Sequence, residues 1–271
     1  MTRIEAYRQI LRELTDWEPY LLAESRLPGP RGNLELAQAV ADVGSPELFW
    51  RLVTWDAGRA PTNTPGEFLA FCGVLGMGRL LVQGDPAALA TLRSHASDPR
   101  WRTREAVAMA LQRLGTHDME RLFEVVEAWL DGNWLEQRAV VAALCEPALL
   151  TVPQHATRAL AVLDRVTANL SRAADRRDPA LRTLRQALGY GWSVAIVARP
   201  EVGWPLFEKW AASTDPDVQW IVRENRKKRR LRAAGNGQQP AASDNRRRCA
   251  GDTPGSTTDH ARASSGARAR R

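Results

Sequence analysis

A chain of 271 residues, 44% hydrophobic and 25% charged, has the composition of a folded globular protein, which excludes a fully disordered or fibrous one. Its three cysteines, Cys72, Cys145 and Cys249, are odd in number and widely spaced, which fits neither a disulfide framework nor a metal cluster and predicts a reducing, cytoplasmic setting. The net charge of +7 belongs to the C-terminal end, where residues 226 to 271 hold 13 Lys or Arg against Asp244, Asp252 and Asp259, so the body before it is close to neutral and no bulk electrostatic footprint is expected there.

Turn signals and 3.6-residue periodicity predict helices along the body and no strand of useful length. An opening pair covers residues 3 to 26, broken near Asp16 and ended by Pro28-Gly29-Pro30. The charged, helical N-terminus lacks the apolar core and cleavage site of a signal peptide. Asn33 caps a helix to Val43, Ser45-Pro46 starts the next, and Arg59 to Pro65 is a loop. A helix from Pro65 to Val82 follows, whose apolar run is cut by Gly73, Gly76, Gly78 and Arg79, so no membrane span is expected. Further helices are predicted over 86 to 95, 99 to 114, 117 to 130, 133 to 145, 153 to 173, 179 to 198 with a break at Gly189 to Gly191, 201 to 213, and 215 to 232. Asp-Pro recurs at 85, 98, 178 and 215, where the Asp can cap and the Pro can occupy the first turn.

One phrase recurs: a turn, a Trp, an Arg, then a small-apolar run. It occurs as Asp98-Pro99-Arg100-Trp101 leading into AVAMAL, as Asp131-Gly132-Asn133-Trp134 to Arg138 leading into AVVAAL, and as Asp215-Pro216 to Trp220 and Arg223. Such self-similarity predicts an all-α solenoid of roughly five or six helical pairs, each burying its apolar face on its neighbours. Residues 1 to 232 are expected to form this one domain. Residues 233 to 271, rich in Gly, Ser, Pro and Arg, are expected to be a disordered basic tail.

On the helix opening near residue 99 the core stripe is Ala106, Val107, Ala110, Leu111 and Leu114. Trp101, Glu105, Ala108 and Gln112 stack along a different face. Two readings of that face stand side by side: an aromatic and a carboxylate presented to a ligand, or Trp101 packed on the next repeat with Glu105 solvated or paired to Arg102 or Arg104. In the next unit Trp134 and Arg138 share a face at i and i+4. The last helix aligns Trp220, Arg223, Lys227 and Arg230 as an aromatic followed by a basic ridge, the best phosphate-binding candidate. Neither a glycine-rich phosphate loop, nor metal-ligand spacing, nor a nucleophile elbow is present in the sequence, so no metal or cofactor is expected.

The segment Asn133-Trp134-Leu135-Glu136-Gln137-Arg138-Ala139, the Trp101 and Glu105 pair before it, and Arg185 to Tyr190 followed by Trp204 resemble, in order and spacing, the HEAT-like repeat proteins of the AlkD-type DNA alkylation repair family over residues 85 to 231. The resemblance implies a helical surface that grips double-stranded DNA and a DNA glycosylase that excises cationic alkylated purines. Glu105 would be the catalytic carboxylate, with Trp101 and Tyr190 against the sugar, Arg138 on phosphate, and Arg104, Trp134, Trp220, Arg223, Lys227 and Arg230 as further DNA-binding residues. Glu105 stands where the family has Asp, and Tyr190 where it has Trp. The competing expectation is a non-enzymatic, monomeric scaffold that receives a protein partner on its concave face.

Overall fold

The computed structural model of the chain describes residues 1–236; the segment from 237 onward, which holds the Arg246 to Arg248 cluster and nearly all of the expected tail, lies outside them. The described residues are all-α, with fourteen α-helices and a 3-10 turn at Pro147–Leu150. Seven helices pack consecutively into one layer: α1 (Arg3–Glu13), α3 (Leu34–Val43), α5 (Pro65–Val82), α7 (Trp101–His117), α9 (Trp134–Leu144), α11 (Pro179–Ala198) and α13 (Pro216–Arg226). The others lie against these: α2 (Glu18–Ala23) and α4 (Pro46–Leu52) on α5, α6 (Pro86–His95) on α5 and α7, α8 (Met119–Glu127) on α7, α10 (Pro153–Ser171) and α12 (Pro200–Ala211) on α11, and α14 (Arg229–Asn236) mainly on α11. Contacts that run mainly between sequence neighbours are what a helical repeat array requires.

The starts of the helices follow from local chemistry. Asn33, Ser45, Asp85, Asp178 and Asp215 each accept a hydrogen bond from the first turn, and Pro occupies that turn after the last four. Asn133 and Glu136 form a reciprocal capping box at α9. Asp98 departs from the expected pattern. Its carboxylate accepts from the Arg100 amide at 2.8 Å and also holds the Arg100 guanidinium, so the helix opens at Trp101 with Arg100 in the cap position.

α5 is long and apolar enough, by length and composition, to cross a membrane, contrary to the reading that its glycines interrupt it. It is apolar on nearly all sides because it lies at the centre of the stack, with 78% of the span buried under α2, α3, α4, α6 and α7. Its glycines serve close approach: a Cβ on Gly78 would sit 2.7 Å from the Ala110 carbonyl oxygen of α7. α11 likewise runs unbroken through Gly189 and Gly191, whose missing side chains admit Trp220 on one side and Cys145 with Val141 on the other. The last predicted helix, by contrast, is two. α13 ends at Arg226 and the chain turns at Lys227 and Lys228, which brings Leu231 of α14 down to 1% exposure.

Candidate functional site

α7 and α9 both open with tryptophan, yet Trp101 is 49% exposed while Trp134 lies half-buried against the core. The difference comes from the arginines that bracket Trp101. Arg100, 1% exposed, donates to the two Asp98 oxygens at 2.9 and 2.7 Å and to the carbonyls of Trp55, Asp56 and Ala60. Arg102 donates to Glu67 at 3.1 Å and to the Gly29 carbonyl at 2.6 Å, and its guanidinium lies 4.5 Å from the centre of the Trp101 ring. With both neighbours turned inward and fixed, the residue between them is turned out.

One turn along α7, Glu105 accepts through Oε2 a hydrogen bond from Arg138 of α9, whose other nitrogen donates to the Arg104 carbonyl at 3.1 Å. Glu105 therefore does not pair with Arg102 or Arg104, as one expectation had it. Glu67 holds Arg102, and Arg104 donates to the Asp98 and Pro99 carbonyls at 2.6 and 3.0 Å. Nor is the whole face of α7 open, since Ala108 is fully buried and Gln112 donates to the Ala142 carbonyl at 3.0 Å. The core stripe of Ala106, Val107, Ala110, Leu111 and Leu114 is buried as predicted.

α11 completes the site. Trp101, Arg104, Arg138, Tyr190, Thr183 and Gln186 line a cleft of about 420 Å³. Burial pushes the Tyr190 phenol well above its usual range, so at neutral pH it stays protonated and can donate. Burial, then the charge of Arg138, pulls Arg104 below its ordinary value. The cleft thus concentrates two guanidiniums beside one carboxylate, a local excess of positive charge on an otherwise near-neutral body. On the far side of Trp101 and Glu105 lies a second pocket of about 280 Å³, walled by Leu27, Leu34, Phe68 and Phe71, with the exposed Arg31 at its edge.

The remaining sequence candidates lie elsewhere. Trp134 lines neither of these hollows. Trp220 packs onto α11, where a Cβ on Gly189 would come 2.8 Å from its indole and the Arg185 guanidinium lies 4.7 Å from its ring centre. Arg223, Lys227 and Arg230 are exposed, but Lys227 pairs with Glu224 and Arg230 belongs to α14, so the three do not form a ridge on one helix. Thr183, Gln186 and Tyr190, at i, i+3 and i+7 of α11, form a polar stripe that periodicity could have revealed. Arg31 and the phenylalanines of the second pocket carried no such signal. Among the described residues no group of three or more His, Cys, Asp or Glu side chains is placed to hold a metal ion.

No protein-family model matches the chain, and no curated protein matches it. Among solved structures, a designed armadillo repeat protein, YIII(Dq)4CqI, is 16% identical, with 79% of this chain and 98% of that chain covered at a TM-score of 0.28. At that score the likeness carries no argument, and the helical repeat architecture rests on the packing described above.

Proposed function

We propose that the protein binds double-stranded DNA across α7, α9 and α11 and excises cationic alkylated purines, as the resemblance to the DNA alkylation repair family implies. The observation that supports this reading is the convergence of Trp101, Arg104, Arg138 and Tyr190, from three helices, on one cleft, with Glu105 held at its edge by Arg138. A phosphate placed between Arg104 and Arg138 would relieve the repulsion of two neighbouring guanidiniums. It would also compete with Glu105 for Arg138, freeing the carboxylate to face the sugar. There a carboxylate stabilises the positive charge that develops as the glycosidic bond breaks. The bonding electrons leave with the already cationic base, which departs neutral, while water adds to the sugar carbon and gives up a proton.

Release of 7-methylguanine and 3-methyladenine from methylated duplex DNA tests the chemistry, with Glu105→Gln expected to lower the rate by about 10²-fold or more. Arg138→Ala should reduce the salt dependence of DNA binding by a log–log slope of about 0.9, the loss of one phosphate contact. A second reading, a protein-interaction scaffold, is favoured by one observation: Glu105 and Arg138 already satisfy each other without a ligand. Absence of both DNA binding and base release would leave that reading standing.

A further inference from the structure

The smaller pocket beside the cleft is built for a flat ring. We infer that it takes a planar heteroaromatic group of purine size, either a free nucleoside or a base unstacked from a nucleic-acid strand. Its walls are apolar and in part aromatic: beside Leu27 and Leu34 the rings of Phe68 and Phe71 lie 6.3 Å apart and within 5° of parallel, and Trp101 closes the pocket toward the cleft. A volume of about 280 Å³ falls just under the roughly 300–1,000 Å³ of sites for drug-sized ligands, which suits one fused ring and excludes a dinucleotide. Three charged side chains line it, Arg31, Arg102 and Glu105; Arg102 is already committed to Glu67 and the Gly29 carbonyl, which leaves one cation and one carboxylate to meet the guest. Arg31 makes no side-chain hydrogen bond among the described residues and offers only donors. Glu105 gives Oε2 to Arg138 and keeps Oε1, an acceptor. With a cation and a carboxylate on the same pocket, no guest of a single charge satisfies both. A neutral ring whose edge alternates acceptors and donors, as a purine edge does, meets both.

This inference does not depend on glycosylase activity, and one experiment separates the two. The fluorescent purine 2-aminopurine is titrated against the full chain as the free riboside and, separately, within a duplex opposite a mismatched base, with DNA binding followed in parallel by anisotropy. Stacking against Trp101 and the phenylalanines should change the emission of at least one probe saturably. Arg31→Ala should weaken that response about tenfold, the order of one base-stacking or base-edge contact. Gly32 lines the pocket, and a Cβ there meets Phe68 at an ordinary 3.6 Å, so Gly32→Leu should fill the space and abolish the response while leaving the melting temperature unchanged. A response from the riboside alone identifies a free purine as the guest, and one from the duplex identifies an unstacked base. No saturable response from either probe, or one that Gly32→Leu leaves intact, overturns the inference even if the DNA is bound. Riboside binding without DNA binding would instead sink the proposed function and keep the pocket.

Discussion

The two ends of the stack are joined by different chemistry. Through α7, buried charge does the joining. Arg100 and Arg102 are 1% and 6% exposed and Glu67 is fully buried, and the half-buried Asp42 accepts from Arg8 of α1 and Arg113 of α7 at once. From α9 onward the buried polar groups are neutral. Asn225 donates to the Leu188 and Ile221 carbonyls and accepts from the Ser193 amide, each at 2.8 Å, and the Trp192 indole donates to Thr167. There the arginine pairs, such as Arg165 with Glu127 and Asp131, stay near the surface. A buried ion pair contributes little net stability against an apolar replacement, but loss of one partner is costly. Its visible service here is positional, since Arg100 and Arg102 fix the outward aim of Trp101, and the cleft lies where the ionic half meets the neutral half.

The sharpest break in that contrast is Glu67→Ala, which leaves Arg102 charged and buried without its counterion. It should cost about 3–5 kcal/mol by urea denaturation, and adding Arg102→Met should recover most of the loss. Next in size is an alkaline effect that asks whether the halves unfold together. Burial raises the thiol of Cys72 in α5 well above its usual range and that of Cys145, after α9, to about 12. An unfolded thiol ionises near about 8.5. Above that pH the unfolded chain has lost protons that the native chain keeps, so stability falls as pH rises, by about 1.4 kcal/mol per pH unit for each thiol until its native pKa is reached. A single transition with the slope of both thiols, flattened by replacing both with Ala, would mark one cooperative unit; a biphasic transition would split the ionic half from the neutral one.

Asn225→Ala tests the neutral half. It removes a buried acceptor for the Ser193 amide and the donor to the Leu188 and Ile221 carbonyls, and should cost about 1–3 kcal/mol in the same denaturation assay. The smallest effect is expected at the seam. Glu105 is 41% exposed, so Glu105→Gln should change stability by less than about 1 kcal/mol. A loss several times larger would mean that the Glu105 and Arg138 pair serves the fold.

Much of the fold was legible because helix starts are local. Asn33, Ser45, Asp85, Asp178 and Asp215 lie within three residues of the amides they cap, and α3, α5 and α6 end where periodicity placed their ends. Errors arose where a residue's partner is distant. Gly189 and Gly191 looked like a break because nothing nearby in sequence announces Trp220 or Cys145 packed against them. Asp98 looked like a cap because the carbonyls that draw Arg100 inward lie on the loop 44 or so positions earlier.

The sequence by itself determined an all-helical repeat array, its buried stripe on α7 and the shared face of Trp101 and Glu105, since 3.6-residue periodicity and capping are properties of one segment at a time. Only the tertiary structure decided that Arg138 binds Glu105, that Tyr190 joins them while Trp134 and Trp220 go into packing, and that an aromatic pocket opens beside Arg31. Those outcomes depend on which helix lies beside which, and on which of several competing arginines each carboxylate meets, and neither is encoded in the spacing of a single helix.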